Sequence, residues 1–431
     1  MLTFHLVSLF PDFFTSPLAC GLMARARANR LVDYSLHDPR DYAANRHRHV
    51  DDRPYGGGPG MVIQAEPVAK ALGNIAAPGR MLLMTPCGRP FTEEFARELV
   101  REENITLICG RYEGLDARLA ALFPLEPVSV GDAVFNGGEV AALGVMEAVA
   151  RLLPGFMGKT ASGEEESFSE GLLEYPHYTR PEIFRGMPVP ETLLSGDHGR
   201  IAAWRRNQAL SATLALRPEL LARAPLDERD ARHIASLPRE RVGRNLSFCL
   251  LHHPVVADGK KNGTSSLTNL DIHDIARVSM SYGMGPFYAV TPLADQMRVL
   301  EAILRHWSDG PGGRAHPDRS QAISLVRPAS SLEEAVELAT AHAGVSPRLV
   351  GSSARWPGGR HAPPALTPDN VRRWLCEGPV LLCLGTAQGL SDTVLDACDG
   401  QLRPLRFLGY NHLSVRSAAA ILADRILGDF D

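Results

Sequence analysis

Short apolar runs rich in β-forming residues alternate with amphipathic stretches along the first 150 residues. The runs are TFHLVSLF, RMLLMTP, NITLICG and PVSVG, with helical stretches such as TEEFARELVREE and AALGVMEAVARLL among them. This alternation predicts an α/β domain built from βαβ units around a mostly parallel sheet. Thr92 is expected to begin a helix, because Glu93 and Glu94 behind it suit the helix dipole.

The pattern changes after Leu153. PGFMGKTASGEEESFSEG is polar, acidic and punctuated by glycine, which predicts a linker or mobile lid, and an Arg-bearing helical stretch follows it to about Pro238. From about Arg244 the βαβ alternation resumes, and SDGPGGRAHPDR and ARWPGGRHAPPALTP within it are expected to be loops. The predicted organisation is an α/β domain (1–160), a linker (161–175), a helical domain (176–238) and a second α/β domain (244–431).

Composition restricts the partners. The 431 residues are 45% hydrophobic and 22% charged, the balance of a globular protein with two or three domains. The net charge of −4 means that a nucleic acid would have to be held by local basic clusters. Such clusters are present, although arginines interleaved with aspartates are more often solvated faces than RNA sites. The clusters comprise Arg25, Arg27, Arg30, Arg40, Arg46, Arg48, Arg53, Arg205 and Arg206.

Seven cysteines without any C-x-x-C spacing favour neither a disulfide framework nor a zinc ribbon, so a reducing cytoplasm is the expected location. The N-terminal MLTFHLVSLFPDFF lacks a basic leader and is expected to form a buried strand. No apolar run reaches the length of a membrane span, so no membrane partner is expected.

Glycine-rich turns follow the predicted strands. MTPCGRP, CGRYEGLD and GDAVFNGGE would lie at the carboxyl ends of one sheet, where open α/β sheets bind ligands. A fourth segment, DDRPYGGGPGM, lacks the Lys-Ser/Thr ending of a phosphate-binding loop and the glycine spacing of a dinucleotide fingerprint. Together these loops indicate a flat or neutral ligand held by backbone groups.

Residues 1 to about 238 resemble the bacterial TrmD family of tRNA (guanine-N1)-methyltransferases. The matching segments, in order, are SLFPDFF, RHVDDRPYGGGPGM, CGRYEGLD, GDAVFNGGE, SFSEGLLEYPHYTRP and PVPETLLSG. The resemblance implies a SPOUT fold with a trefoil knot, a homodimer, and S-adenosylmethionine as methyl donor. It also implies methylation of N1 of the tRNA guanine on the 3′ side of the anticodon, position 37.

The same resemblance implies individual site residues. The expected cofactor pocket comprises Met84, Thr85, Pro86, Gly110, Tyr112, Glu113, Gly114, Ser129, Val130, Gly131, Phe135, Gly137 and Gly138. The residues expected to enclose the target guanine and its neighbour are Asp51, Gly56, Gly57, Gly58, Gly60 and Ser162. Magnesium dependence is implied as well, with Glu113 as the nearest expected carboxylate.

Methyl transfer to guanine N1 requires removal of a proton and stabilisation of charge near O6. Arg151 matches the family arginine expected near O6. For the base, Glu166 stands where the family has aspartate before Ser-Phe, and it reaches roughly 1.5 Å further. Glu174, where the family commonly has aspartate, is a second departure. A protein that has lost catalysis but still binds RNA is the alternative that Glu166 leaves open.

The C-terminal segments LLCLGTAQGLSD and LRFLGYNHLSVRSAAAILADRIL resemble the cofactor-binding end of other SPOUT RNA methyltransferases, with a final helix capped near Ser414. The candidate cofactor residues are Gly385, Gly389, Gly409, Asn411 and Ser414. A generic α/β domain and a second enzyme with its own RNA target both remain open. His177, and the adjacent His252 and His253, are expected to pack or contact RNA and not to bind a metal ion.

Overall fold

The computed structural model describes residues 1–157, 166–237, 241–257, 259–308, 310–355, 363–407 and 409–428. Contacts divide the chain into two compact units, Met1–Ala235 (unit 1) and Ser236–Asp431 (unit 2). Unit 1 therefore includes both the first α/β segment and the Arg-bearing helical segment. Residues 161–165 of the predicted linker, including Ser162, lie outside the described residues.

Unit 1 is centred on a parallel sheet. Its strands are β1 (Leu2–Val7), β2 (Val32–His37), β5 (Arg80–Pro90), β6 (Asn104–Cys109) and β7 (Leu125–Ser129), and the hairpins β3 (Asp51–Asp52) with β4 (Val62–Ile63) and β8 (Ile183–Phe184) with β9 (Met187–Pro188) lie outside it. The order across the sheet is β2–β1–β6–β5–β7, with every pairing parallel. The predicted apolar runs therefore form strands as the alternation indicated.

Helices cover both faces of this sheet. They are α1 (Thr15–Leu18), α2 (Gly21–Ala28), α3 (Ala65–Gly73), α4 (Glu93–Leu99), α5 (Leu119–Leu122) and α6 (Glu139–Arg151), and α7 (Glu191–Leu194), α8 (His198–Leu216) and α9 (Glu228–Ser236) follow in the helical segment. The predicted start of α4 is confirmed, because the Thr92 hydroxyl accepts a hydrogen bond from the Phe95 N–H. β6 is buried almost throughout, as expected for a strand covered on both faces.

Unit 2 contains a larger parallel sheet in the order β14–β13–β10–β17–β15–β18–β16. Its strands are β10 (Leu246–Leu251), β13 (Phe287–Val290), β14 (Val326–Ala329), β15 (Arg348–Ser352), β16 (Ala365–Leu366), β17 (Val380–Gly385) and β18 (Gly400–Leu402), and a separate hairpin pairs β11 (Val255–Ala257) with β12 (Lys260–Gly263). The central strand β17 is buried from Val380 to Leu384, which places the apolar run PVLLCL in the core.

The helices of unit 2 are α10 (Asn269–Ser281), α11 (Ala294–Ser308), α12 (Pro311–Ala315), α13 (Pro317–Ile323), α14 (Leu332–Ala343), α15 (Pro368–Glu377), α16 (Asp392–Asp396) and α17 (Val415–Leu427). The prediction that SDGPGGRAHPDR is a loop was wrong, because α12 and α13 lie within it. Each begins with proline at its first position, where a missing N–H costs nothing. In the second predicted loop, 354–368, residues 356–362 lie outside the described residues. The loop prediction was wrong for Ala365–Leu366, which form β16, and for Pro368, which begins α15.

Two further expectations concern unit 2. The Ser414 cap is confirmed, since its hydroxyl accepts a hydrogen bond from the Ser417 N–H at the start of α17. His252 and His253 follow the end of β10 and do not belong to the strand. Their rings nevertheless have separate partners, the Val290 and Gly263 carbonyls. Over the described ranges, no helix is long and apolar enough to cross a membrane.

Candidate functional site

A cavity of about 430 Å³ opens at the carboxyl ends of β5, β6 and β7. Parallel α/β sheets bind ligands at this edge, and the volume lies in the usual range for small-molecule sites. Twelve of the thirteen expected cofactor residues line it: Met84, Thr85, Pro86, Gly110, Tyr112, Glu113, Gly114, Ser129, Val130, Phe135, Gly137 and Gly138. The other, Gly131, does not line the cavity; its carbonyl accepts a hydrogen bond from Ser129 Oγ at 2.9 Å.

The first wall of the cavity comes from an irregularity in β5. The register of β5 against β7 shifts between Met84 and Arg89, so the intervening residues leave the regular ladder. Thr85, Pro86 and Cys87 consequently line the cavity.

Gly138 connects the two loops that form the rest of the cavity wall, the loop after β6 and the 131–138 loop. Its N–H donates to the Gly110 carbonyl at 2.9 Å, which holds the 131–138 loop against the loop after β6. A Cβ at Gly138 would come within 2.8 Å of Cys109 Cα and 2.9 Å of Met84 Cβ. No side chain fits there without moving a strand. Glycine at 138 therefore serves close packing, whereas a Cβ at Gly110 or Gly114 would meet almost nothing.

A buried ion pair stabilises the same loops, and no sequence pattern predicted it. Glu139, 1% exposed at the start of α6, accepts a hydrogen bond from Ser8 Oγ at 2.7 Å. Arg111 Nη2 lies 3.0 Å from Glu139 Oε2, and its guanidinium stacks 4.3 Å from the Phe10 ring centroid. Gly137 packs against this pair, since a Cβ there would lie 2.6 Å from Arg111 Cδ.

The glycine-rich loop expected to hold RNA lies at the rim of the cavity. β3 and β4 pair at its base, joining Asp51 to Ile63. The Glu113 N–H donates to the Met61 carbonyl, and the Ile63 N–H donates to the Gly114 carbonyl, both at 3.0 Å. The glycines all have positive φ, which favours glycine; they are Gly56, Gly57, Gly58 and Gly60. The loop is thus hydrogen-bonded directly to residues that line the cavity.

The two expected catalytic residues contact each other. Arg151 Nε donates to Glu166 Oε2 at 3.1 Å, and Arg151 Nη2 donates to Glu166 Oε1. This hydrogen bond is the main reason that the pKa of Arg151 is raised. Neither residue lines the cavity. Arg151 ends α6 and Gly138 precedes it, so a 13-residue helix of about 20 Å separates the pair from the cavity of the same chain.

The helical segment of unit 1 carries an open groove of about 1,120 Å³ lined by Tyr175, His177, Tyr178 and Trp204, among others. His177 Nε2 lies 2.7 Å from Glu174 Oε1, which gives the second family departure a local partner. In the described part of the chain, no group of three or more His, Cys, Asp or Glu residues is arranged to hold a metal ion.

A second cavity lies at the carboxyl ends of β15, β17 and β18, but its volume is only about 120 Å³. Gly385, Gly389 and Asn411 line it, whereas Gly409 and Ser414 do not. Gly385 also serves close packing, because a Cβ there would lie 2.6 Å from the Gly389 carbonyl carbon, where the chain folds back on itself.

The fold and the first cavity define an α/β protein that holds a nucleoside-sized ligand through loops at one sheet edge. Residues 2–223 match the family model described as tRNA (Guanine-1)-methyltransferase TrmD. Residues 245–428 match a second model, described as SAM-dependent RNA methyltransferase. The chain belongs to the TrmD family.

Relatives fall into two groups by length. The tRNA (guanine-N(1)-)-methyltransferase of Oleidesulfovibrio alaskensis is 58% identical over 427 residues, 99% of both chains. That of Nitratidesulfovibrio vulgaris is 56% identical over 98% of this chain and 99% of its own. The protein of the same name from Citrifermentans bemidjiense is 49% identical over 221 residues, which are 51% of this chain and 89% of its own. The region matching unit 2 is therefore shared with the first two relatives.

Proposed function

We propose that this protein transfers a methyl group from S-adenosylmethionine to N1 of guanine in tRNA, at position 37 beside the anticodon. The observation that carries the proposal is the cavity at the carboxyl ends of β5, β6 and β7, in the unit that matches TrmD. We propose action in the cytoplasm, where the tRNA substrate would be found. The seven free thiols are consistent with a reducing compartment.

The residues around the cavity fit the methyl donor. Gly110 and Gly114 offer bare backbone to it, as a bent nucleoside requires, and Phe135 and Tyr112 offer apolar surface. When bound, S-adenosylmethionine supplies an electrophilic methyl group. The trefoil knot belongs to this proposal, and the bond from the Gly138 N–H to the Gly110 carbonyl supports the close approach of loops that a knot requires.

A homodimer belongs to this proposal and is supported by the distance between the cavity and the paired residues Arg151 and Glu166. A pair about one helix length from its own cavity cannot reach a reaction centre there. In a symmetric dimer the same pair can face the cavity of the partner subunit. Each site would then combine the cofactor loops of one protomer with the acid–base pair of the other.

The acid–base roles follow from the geometry of that pair. As guanine N1 bonds to the methyl carbon, the bond from that carbon to the sulfonium sulfur breaks and S-adenosylhomocysteine leaves as a neutral thioether, while the N1 proton passes to a carboxylate oxygen of Glu166. Each oxygen of Glu166 accepts one hydrogen bond from Arg151 and keeps a second lone pair, on which the proton can be accepted. The Arg151 guanidinium has further N–H donors, which can stabilise the charge that develops at O6. Asp51, Gly56, Gly57, Gly58 and Gly60 are proposed to enclose the guanine. Ser162, expected to take part in the same role, lies outside the described residues.

Substitution of Glu166 tests the proposal. Glu166→Gln keeps the shape but cannot accept the proton, so single-turnover methyl transfer should slow by about 10²–10⁴ while the dissociation constant for S-adenosylmethionine stays unchanged. Glu166→Asp, which restores the family residue, should retain activity. Near-normal transfer by Glu166→Gln would contradict the assigned role.

A second methyltransferase site in unit 2 is the other candidate function, favoured by the match over residues 245–428. Its cavity of about 120 Å³ is smaller than typical ligand sites, so lining residues such as Arg403, Leu405 and Asn411 would have to move outward for the cofactor to enter. Equilibrium dialysis of the full chain distinguishes the possibilities: two S-adenosylmethionine molecules per chain support this site, and one molecule contradicts it.

A further inference from the structure

A basic hairpin adjoins the cavity of unit 2. Lys260 and Lys261 are half of the four lysines in the chain, and both are exposed on β12. Neither forms an ion pair with any residue in the part of the chain that the structure describes. Unpaired, adjacent cations on an exposed hairpin form a site for a polyanion more readily than charges held in ion pairs do.

The hairpin is fixed to the cavity by backbone hydrogen bonds. The Val256 N–H donates to the Gly389 carbonyl at 2.9 Å, and the Gln388 N–H donates to the Val256 carbonyl at 3.0 Å. Gln388 and Gly389 line the cavity. The position of the two lysines is therefore tied to the cavity wall and not to a free loop.

Further cations lie across the same edge. Arg403 and Arg406 follow the carboxyl end of β18 and are exposed, and Arg403 also lines the cavity. The hairpin follows the carboxyl end of β10. The strand order β10–β17–β15–β18 separates these two ends by three strand spacings, on the order of 14 Å. The cavity lies between the two pairs of cations.

Acidic groups at this edge form ion pairs. Asp392, after the β17 loop, pairs with Arg355 at 3.1 Å. Asp271 and Asp274 on α10 both pair with Arg416, at 3.1 and 3.6 Å. Among the described residues, Lys260, Lys261, Arg403 and Arg406 have no ion pair, and the Arg403 guanidinium lies 6.0 Å from the Phe407 ring centroid.

We propose that this edge is an RNA-binding surface, in which Lys260 and Lys261 on one side and Arg403 and Arg406 on the other hold separate phosphates of one single-stranded segment that crosses the cavity. A nucleotide between them would lie over the cavity. The rings of Phe407, beside the Arg403 guanidinium, and Tyr410, beside His412, are 68% and 80% exposed and offer surface for base stacking. The inference deepens the second function proposed above by assigning its RNA contact surface.

The test measures how RNA affinity depends on salt. The full-length protein is titrated against a fluorescein-labelled single-stranded RNA 20-mer of mixed sequence over a range of potassium chloride concentrations. Loss of two phosphate contacts in Lys260→Ala/Lys261→Ala should lower the slope of log affinity against log salt by about 1.4. Affinity near 0.1 M salt should fall on the order of 10- to 30-fold. Arg403→Ala/Arg406→Ala should lower the slope and the affinity by similar amounts.

A matched control removes two cations from unit 1. Lys70 and Arg97 are exposed and each pairs within its own helix, so Lys70→Ala/Arg97→Ala changes net charge equally and should leave the slope unchanged. Equal slopes for all the variants and the parent would overturn the proposal. Unaltered tRNA methylation by the lysine variant verifies folding.

The salt-dependence test of the RNA surface and the count of bound S-adenosylmethionine, which tests the second transfer site, can fail independently. A lowered slope with one bound S-adenosylmethionine per chain keeps the RNA surface and removes the second transfer site. An unchanged slope with two bound molecules removes the RNA surface alone.

Discussion

Gly138→Ala should damage the cofactor cavity without touching any catalytic group. The backbone at Gly138 is ordinary for an alanine, with φ −73° and ψ −7°, so the cost arises from packing and not from conformation. The new methyl group would lie 2.8 Å from Cys109 Cα and 2.9 Å from Met84 Cβ, where contacts are normally about 3.4 Å or longer. Both atoms belong to central strands that cannot withdraw independently.

Overpacking of this kind costs about 1–3 kcal/mol, and the preference for glycine over alanine at a helix N-cap acts in the same direction. For a unit of this size the loss corresponds to a melting temperature lower by about 2–12 °C. If the strain is instead relieved by separating the 131–138 loop from the loop after β6, it should appear as weaker cofactor binding, tenfold for each 1.4 kcal/mol.

Differential scanning calorimetry and S-adenosylmethionine titration measure the two effects. Gly73→Ala is the control, because Gly73 ends α3 and a Cβ there meets nothing within 4 Å. That change should be neutral or stabilising by up to about 1 kcal/mol. Gly138→Ala protein that melts and binds like the parent would refute the conclusion that this glycine is required for close packing.

Three other results are expected. Arg111→Met should destabilise unit 1 by about 3–5 kcal/mol by leaving buried Glu139 unpaired, and Arg111→Met/Glu139→Gln should recover part of that loss in a urea titration. Cys87 lines the cavity, so bound S-adenosylmethionine should slow its alkylation by iodoacetamide. Peptide mass spectrometry measures the alkylation rate, and exposed Cys20, which the ligand should not protect, is the control. If Glu113 holds magnesium, EDTA should reduce methyl transfer and Glu113→Gln should abolish the response; equal rates with and without EDTA would contradict that role.

Local sequence signals were sufficient for most elements. Apolar runs predicted the strands of unit 1, and Thr92 and Ser414 predicted helix starts, because these features depend on neighbours along the chain. The same local signals misassigned SDGPGGRAHPDR, since proline both interrupts a helix and begins one.

The sequence by itself determined the alternation of strands and helices, the positions of the glycine turns and, through its resemblance, the family. Only the tertiary structure decided which groups meet. Ser8 reaches Glu139 across 131 positions, Arg151 holds Glu166, and Gly138 packs on Cys109. It also decided that one cavity is nucleoside-sized and the other is not. Strand order and packing set these distances, and neither is encoded in any short stretch of residues.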